Sequence, residues 1–184
     1  SQVALSAVTV ANTPFFVLML VCFGIQSGAA VLVAQYHGKG DLEAINRVLG
    51  VGLYISMAVT AVAALVSFFF AEPIMHLLTN NAELWELGAS YARIVGFSYF
   101  FNSISGIYLS VQRSCENPKI GAIILSGSGL LNIFLNWLFI FGSLGAPKLG
   151  VAGAALGTLI SRAMEVVAVA IYIRLDKRLP LYPA

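Results

Sequence analysis

The sequence contains very little charge. Of its 184 residues, 10% are Asp, Glu, Lys or Arg and 59% are hydrophobic, whereas an ordinary soluble domain has about 25% charged and roughly 45–50% apolar residues. The formal net charge is only +2, and no basic stripe lies outside the connecting segments, so a nucleic-acid-binding protein is excluded. The composition also argues against a soluble globular domain.

Charge is absent altogether from four long runs, which cover residues 1–36, 48–71, 94–112 and 120–147. About 20 apolar residues in a helix span a bilayer, and these runs are continuously apolar rather than alternating as barrel strands are. The first run lacks the basic start of a signal peptide and is too long for one. The sequence therefore predicts an all-α, polytopic membrane helix bundle with five spans, at about residues 4–35, 45–70, 86–111, 120–141 and 151–174. Pro14 is expected to bend the first helix or to mark its early turns.

Cysteine and histidine are also scarce. Cys22 lies in an apolar run and Cys115 in a short polar segment, so we expect two free thiols rather than a disulfide. His37 and His76 fall in connecting segments on opposite sides of the predicted membrane. Because they cannot meet, no metal site is expected.

The connecting segments alternate in basic charge. Lys and Arg occur in the first segment, in the third and in the tail, at Lys39, Arg47, Arg113, Lys119, Arg174, Lys177 and Arg178. By the positive-inside rule these segments are cytoplasmic, which places Ser1 outside and Ala184 inside. An odd number of crossings is unusual for a transporter built from even repeats, and the chain does not begin with Met, so a fragment is expected.

Three stretches resemble the amino-terminal lobe of transporters of the MATE (multidrug and toxic compound extrusion) family. They are VAQYHGKGD at residues 33–41; QR at 112–113 with NPK at 117–119 and LNIFLNWLFIFG at 131–142; and PKLGVAGAA at 147–155. Their order and spacing carry more weight than any one of them. Together they extend the resemblance over nearly the whole chain.

The resemblance implies that residues 1–184 are part of a six-helix lobe whose first helix is missing. The complete family protein has two such lobes related by pseudo-two-fold symmetry, with the substrate cavity between them. It implies a multi-pass antiporter of the plasma membrane that exports amphipathic organic cations by alternating access. The coupling ion would be Na⁺ or H⁺, with no other cofactor, and the expected partners are the lipid bilayer, small organic cations, the missing helix and the second lobe.

Two ionisable residues lie in the middle of the last predicted span. Such residues cost about 2.5–3.5 kcal/mol each on insertion scales, so they are candidates for function. Arg162 and Glu165 are three residues apart and share a helix face, where they can pair. Two interpretations stay open: Glu165 binds a cation or proton at the cavity, or the pair only orients helices.

Asn132 and Asn136 lie four residues apart on the fourth span, so both amides point to one face. Their oxygens could coordinate an ion or bind a substrate, or the amides could hold two helices together. The resemblance implies a place in the cavity, because many members have an Asn and then an Asp at these positions. Asn136 cannot titrate, so a proton switch there is excluded. An ion role in this lobe would depend on Glu165 or on parts outside the chain.

Other polar groups could face the same cavity. Gln26 in the first span and Thr158 in the last are candidates, with ordinary helix contacts as the alternative. Tyr99 and Asn102 belong to an aromatic and polar stretch, residues 99–103, that could hold flat lipophilic cations through cation–π attraction. Packing between helices is the alternative there too.

The remaining motifs have local interpretations. Gly38, Gly40 and Asp41 are expected to form a turn and a helix cap, and so are Asn117 and Pro118. Arg93 is expected to extend its head group towards water or to pair locally with Glu83 or Glu86.

Two other functions are weighed against drug export. A flippase of the same superfamily, moving lipid-linked substrates, would have a more basic cavity, to which only Arg162 and Arg93 could contribute here. An intramembrane serine hydrolase is suggested weakly by Ser128 in a Gly-rich stretch. It would need a general base within hydrogen-bond reach, and neither histidine is placed to serve.

Overall fold

The computed structural model describes residues 2–145 and 147–176, and this part of the chain is almost entirely helical. Its helices are α1 (Gln2–Lys39), α2 (Leu42–Phe69), α3 (Ala71–Leu78), α4 (Ala82–Ser114), α5 (Pro118–Phe141) and α6 (Val151–Leu175), with one 3₁₀ turn at Ser143–Gly145. All of these helices except α3 are long and apolar enough to span a membrane. The predicted helix bundle with five spans is confirmed, and α1 continues unbroken through Pro14.

The short helix α3 lies where the sequence predicted only a polar connection. It begins directly after α2, and its buried residues Ala71 and Met75 are one turn apart, facing α4. Met75 packs into the space left by a glycine, since a Cβ on Gly88 would come within 2.2 Å of its Cε. A two-turn helix needs no long apolar run, so a prediction based on such runs could not detect it.

Helix α4 is the central element of the bundle. It packs against α1, α2 and α3, against α6, and less extensively against α5, while α5 packs chiefly on α6. Small residues on α4, such as Ala92, Gly96, Ser103 and Ser105, are buried in these contacts or allow them. Small side chains let helix backbones approach closely where no hydrophobic effect separates helix from lipid. The arrangement leaves a cleft between α1 and α5 with α4 as its floor.

One end of the bundle is basic. Helices α1, α4 and α6 end there and α2 and α5 begin there, which brings together Lys39, Arg47, Arg113, Lys119 and Arg174. We call this the basic end, and the opposite one the α3 end. Ser1 and the basic tail at Lys177 and Arg178, which also entered the topology prediction, lie outside the described residues, as does Ala184.

Helices α5 and α6 approach each other closely at two glycines. A Cβ on Gly153 would lie 2.6 Å from the carbonyl oxygen of Phe139, and one on Gly157 would lie 2.6 Å from Oδ1 of Asn136. The four-residue spacing puts both glycines on the same face of α6. The two glycines therefore allow a close contact of this face of α6 with α5.

Within the described residues, both cysteines are free and buried, as predicted. Cys115 follows α4 at the basic end, and burial raises the pKa of its thiol. Because the thiolate is the nucleophile, we expect slow maleimide labelling of Cys115 at neutral pH in the folded protein, rising as the pH passes the ordinary thiol range. Labelling a Cys22→Ala variant across pH, with and without denaturant, measures this. Fast labelling of the folded protein at neutral pH would contradict it.

Candidate functional site

A buried carboxylate lies near the middle of α6. The Glu165 side chain is 1% exposed. Its Oε1 accepts a hydrogen bond from Ser105 Oγ at 2.5 Å, and its Oε2 accepts one from Arg162 Nη1 at 2.7 Å. Since Ser105 belongs to α4, the carboxylate joins α6 to the central helix. The pairing of Arg162 with Glu165 that their spacing predicted is present.

The two members of this ion pair have different surroundings. Whereas the Glu165 carboxylate is buried, the Arg162 side chain is 35% exposed. Removing one partner of a buried pair leaves an uncompensated charge, which costs about 3–5 kcal/mol. The ion pair therefore stabilises this part of α6, and its positively charged residue, Arg162, faces open space.

A second polar cluster joins α5 to α6. Asn132 Nδ2 donates to Thr158 Oγ1 at 3.4 Å and to Ser161 Oγ at 3.2 Å, while Asn136 Nδ2 donates to Asn132 Oδ1 at 3.1 Å. Thr158, which was proposed separately from the pair of Asn132 and Asn136, is thus brought together with that pair. Ser161 also belongs to the cluster, although no pattern in the sequence distinguishes it from the many other serines.

The amide oxygen of Asn136 has an unusual environment. Among the described residues, Oδ1 is buried and has no hydrogen-bond partner. It lies against Gly157, where any Cβ would overlap with it. Buried polar atoms are nearly always hydrogen-bonded, so this oxygen is available to a small donor or cation.

Two adjoining cavities run along these clusters. The central cleft between α1 and α5 has a volume of about 350 Å³ and is lined by Phe23, Gln26, Asn102, Gly106, Leu109, Ser110, Arg113, Pro118, Gly121, Ala122, Leu125 and Glu165. The arginine cavity between α5 and α6 has a volume of about 270 Å³ and is lined by Leu125, Ser128, Gly129, Asn132, Thr158, Ser161 and Arg162. Leu125 belongs to both linings.

The cavities divide the predicted site residues into two groups. Gln26, Asn102 and Glu165 face the central cleft. Asn132, Thr158 and Arg162 face the arginine cavity. Glu165 also lines a smaller apolar cavity on the other side of α5 and α6. The ion pair therefore lies at the boundary between the two cavities.

Tyr99 lies apart from both cavities in the described part of the chain. Its ring stacks on that of Phe15, with centroids 5.0 Å apart and an angle of 5° between the planes. This contact packs α1 against α4. Of the predicted aromatic pocket, only Asn102 faces the central cleft, and Tyr99 serves helix packing.

A polar cluster at the basic end was not expected from the sequence. Gln112 is fully buried, and its Nε2 donates to Tyr108 Oη at 2.8 Å. Asn117 Nδ2 donates to Gln112 Oε1 at 3.0 Å and to Tyr172 Oη at 3.0 Å. The cluster ties α4, the segment before α5 and the end of α6 together.

This arrangement corrects the role assigned to Asn117. Asn117 occupies the N-cap position of α5, but its side chain makes no capping hydrogen bond there, and its Nδ2 donates in the tertiary contacts. The predictions for three other residues are confirmed: Gly40 has a positive φ of 72°, Asp41 Oδ1 accepts from the Ala44 amide at 3.0 Å, and Pro118 begins α5. Gly38, which was predicted to belong to the same turn, lies within α1.

Arg93 also has a different partner from the predicted one. Its Nη2 donates to Glu72 Oε1 at 2.7 Å, and both side chains are exposed, at 42% and 62%. Glu72 lies on α3, the helix that the sequence did not reveal, which is why Glu83 and Glu86 were expected instead. A pair this exposed contributes little to stability.

Among the described residues, no group of three or more His, Cys, Asp or Glu is placed to hold a metal ion. His37 lies at the basic end and His76 at the α3 end. The Ser128 hydroxyl donates to the backbone carbonyl of Ser161 at 3.3 Å.

Comparisons with a family model, with curated relatives and with solved structures agree with one another. A family model described as MatE matches residues 1–138. The chain is 29% identical to the probable multidrug resistance protein YoeA of Bacillus subtilis over 174 residues, which is 95% of this chain and 38% of YoeA. The chain spans about two fifths of the length of the curated relatives that it matches.

Solved structures show the same fold. A multidrug resistance MATE family transporter of the MOP superfamily matches in its inward-facing conformation with a TM-score of 0.85 and in its outward-facing conformation with 0.86. Both are 20% identical, cover 97% of this chain, and are themselves covered to 40% and 39%.

Proposed function

Because the chain belongs to the MATE family of multidrug efflux transporters, we propose that it forms part of an ion-coupled antiporter in which Glu165 binds the coupling cation. The family consists of transporters rather than enzymes, which removes the serine hydrolase alternative. The chain is a multi-pass membrane protein. In our proposal it is part of the amino-terminal lobe and lies in the plasma membrane.

The observation that carries the proposal is the burial of a carboxylate at membrane depth beside a cavity. Glu165 is bonded to α4 through Ser105 and neutralised by Arg162, and it lines the central cleft together with Gln26 and Asn102. A proton or Na⁺ that binds Glu165 weakens its attraction to Arg162 and changes how α6 is held on α4. A ligand with different affinity for two helix arrangements shifts their populations, which is the requirement for alternating access.

The neutral cluster on α5 and α6 supplies additional oxygen atoms that could act as ligands for a cation. Asn132, Asn136 and Thr158 offer amide and hydroxyl oxygens, of which Asn136 Oδ1 is buried without a partner in the described chain. Hard cations such as Na⁺ favour oxygen ligands of this kind. We infer a secondary role for this cluster in cation binding, with no proton uptake at Asn136.

The transported substrates and the orientation of the chain in the membrane are proposed from different observations. We propose amphipathic organic cations as substrates, in agreement with the name of the relative YoeA. The concentration of Lys and Arg at the basic end supports a cytoplasmic position for that end, with Ser1 outside and Ala184 inside.

Replacing Glu165 by glutamine tests the coupling role. Glutamine has nearly the same shape, and its side-chain oxygen can still accept a hydrogen bond from Arg162, whose own side chain is partly exposed. The fold should therefore be kept while ion binding is lost. Coupling energies of about 1–3 kcal/mol correspond to about 5–150-fold effects, and we expect a loss of ethidium efflux within this range. Efflux is measured in a pump-deficient bacterial strain expressing the gene product that contains this chain, and in proteoliposomes with separate Na⁺ and pH gradients.

The exposed carboxylate Glu72 provides the matched control. Glu72→Gln removes one negative charge from a pair with Arg93 at the α3 end, and efflux should stay at the wild-type rate. Wild-type efflux in Glu165→Gln at equal expression would remove Glu165 from the coupling mechanism. The gradient that drives wild-type efflux identifies the ion.

A lipid-linked substrate flippase of the same superfamily is the second candidate. Such a protein would need a basic cavity, and Arg162 does face one. Arg93, the other candidate, pairs with Glu72 near the end of the bundle. One partly neutralised arginine is weak support, and translocation of a lipid-linked substrate without dye efflux would be the result in its favour.

A further inference from the structure

An apolar groove lies between α1 and α2, and it shares no lining residue with the central cleft or the arginine cavity. Its volume is about 390 Å³, and its walls come from residues 24–32 of α1 and 47–55 of α2. Among the described residues, Arg47 is the one charged residue in the lining, and the others are apolar or glycine. We call it the lateral groove.

The lateral groove runs from the basic end towards the middle of the membrane. Helix α1 ends at the basic end and α2 begins there, so Leu32 and Arg47 lie nearest to that end, and Gly24 and Ile55 lie deepest. At a rise of 1.5 Å per residue, the groove is about 12 Å long. Half of a hydrocarbon core of about 30 Å is about 15 Å. The groove therefore matches the depth of one leaflet.

Two glycines keep the α1 wall of the lateral groove open. Gly24 and Gly28 lie four residues apart on one face of α1, and a Cβ at either position would meet no described atom within 4 Å. At Gly153 and Gly157, by contrast, a Cβ would overlap with α5. Close packing within the described chain therefore does not account for Gly24 and Gly28, and the space in front of them can hold a ligand.

The mouth and the size of the groove favour an acyl chain over a helix. Leu32, Val51 and Ile55 line the groove and are 45%, 57% and 47% exposed, and an exposed apolar surface of this kind marks a contact with lipid or protein. A helix with its side chains is about 10–12 Å wide, so a length of about 12 Å takes up roughly 900 Å³ or more. That is more than twice the volume of the groove, whereas a single acyl chain is much thinner than a helix.

Arg47 supplies a positive charge at the end of the groove where a lipid head group would lie. Its Nη2 donates to Glu43, one turn before it on α2, and both side chains are largely exposed. Such an exposed pair is weak, and a guanidinium has five donors. The remaining donors can bind a phosphate, for which the planar guanidinium is well suited. The groove is thus complementary in shape to a hydrocarbon chain and in charge to a phosphate.

We propose that the lateral groove binds an anionic phospholipid, whose acyl chain lies between α1 and α2 and whose phosphate is bound by Arg47. With the basic end in the cytoplasm, as proposed above, this lipid belongs to the inner leaflet, where anionic lipids attract basic residues. Each helix supplies one wall of the groove, so the bound lipid joins α1 to α2. The inference concerns a lipid of the membrane and is independent of the coupling role of Glu165.

Photo-crosslinking with two matched lipids tests the proposal. The purified gene product that contains this chain is placed in phosphatidylcholine nanodiscs with a trace of either phosphatidylglycerol or phosphatidylcholine, each carrying a diazirine on the same acyl chain. Crosslinked peptides are mapped by mass spectrometry. We expect crosslinks at residues 24–32 and 47–55, with a yield about fivefold higher for the anionic lipid, as one basic residue near an anionic head group predicts. Soluble glycerol phosphate should not lower the yield, because it has no acyl chain.

Variants assign the two parts of the lipid. Arg47→Gln removes the partner of the phosphate, so the two labelled lipids should crosslink within about twofold of each other. Gly28→Leu fills the groove, and both yields at these residues should fall about tenfold, because each methylene group that loses apolar contact weakens binding. Arg93→Gln, in an exposed pair at the α3 end, and Gly127→Leu, at an open position of α5, are the controls and should keep the wild-type yields.

Several results would overturn the lipid assignment. Equal yields of the two lipids in the wild-type protein, or an unchanged preference in Arg47→Gln, would exclude recognition of the phosphate by Arg47. Suppression by glycerol phosphate would indicate an anion site without an acyl chain. If the wild-type protein gives no crosslinks in the groove, or if Gly28→Leu does not fold, another helix of the gene product covers this surface. None of these measurements involves efflux, so the proposed function is tested separately.

Discussion

Replacing Gly153 by leucine is expected to leave little folded protein in the membrane. Any Cβ at this position would lie 2.6 Å from the carbonyl oxygen of Phe139 and 2.8 Å from its carbonyl carbon. These atoms are backbone, so they cannot move without displacing α5 itself. Overpacking costs about 1–3 kcal/mol and more where the surroundings cannot yield, which is a large part of the total stability of a domain.

The displacement would also reach the polar cluster. Asn136 lies one turn before Phe139 and depends on the same close approach, because Gly157 leaves the space that its amide occupies. A shift of α5 would therefore separate Asn132 from Thr158 and Ser161. We expect loss of monodisperse protein in size-exclusion chromatography of a fluorescent fusion, together with a lower unfolding temperature of any protein that remains.

Gly127→Leu is the matched control for this prediction. Gly127 also lies on a spanning helix, but a Cβ there meets no atom of the described residues within 4 Å. The same substitution should therefore leave yield and unfolding temperature close to the wild-type values. If Gly153→Leu folds as well as Gly127→Leu, α5 and α6 do not make this close contact at Gly153.

The second large effect concerns the ion pair at the middle of α6. Arg162→Leu alone leaves the Glu165 carboxylate buried with the Ser105 hydroxyl as its hydrogen-bond partner but without a neutralising charge. We expect a loss of about 3–5 kcal/mol in the free energy of unfolding. Arg162→Leu combined with Glu165→Leu removes both charges. Since buried pairs can often be replaced by apolar residues without loss, the double variant should recover most of that stability.

The measurement is a double-mutant cycle on purified protein, with unfolding followed by intrinsic fluorescence in mixed detergent. The exposed pair of Arg47 and Glu43, whose side chains are 70% and 77% accessible, is the control. Exposed pairs contribute about 0–1 kcal/mol, so Arg47→Leu should change stability little. If the single Arg162→Leu variant is as stable as the wild-type protein, the buried Glu165 carboxylate does not need Arg162 to neutralise it.

This cycle and the efflux assay separate the two roles that the sequence left open. If the pair only orients helices, the double leucine variant should fold and should still transport. If Glu165 binds the coupling ion, the same variant should fold without ion-driven efflux. The stability measurement therefore tests the structural role of the ion pair, and the efflux measurement tests ion binding at Glu165.

Much of the fold could be predicted because charge marks the membrane boundaries. Lys39 and Asp41 end one apolar run, and Arg113 and Lys119 separate two others, so the spans were found within a few residues. The pairing of Arg162 with Glu165 could be predicted from helical spacing alone. Such contacts need only the local geometry of one helix.

Contacts between distant segments could not be predicted in this way. Ser105 as the partner of Glu165, and Tyr172 as a partner of Asn117, depend on how α6 lies on α4. Arg93 was assigned the wrong partner because Glu72 lies on a helix too short to give a hydrophobic signal. The division of the site into two cavities follows from three-dimensional packing, and no periodicity in the sequence indicates it.

The central position of α4 has a consequence for how the protein is made. Ribosomes deliver α1 and α2 to the bilayer before the helix on which both pack, so polar groups on α2 must first face lipid. The Thr60 hydroxyl has a partner even before α4 is inserted, because it donates to the carbonyl oxygen of Ser56 in its own helix at 2.7 Å. Its contact with Ser103 Oγ at 3.0 Å is added once α4 enters. The Thr60 hydroxyl is thus satisfied while α2 is still surrounded by lipid, and assembly replaces lipid neighbours of α2 with α4.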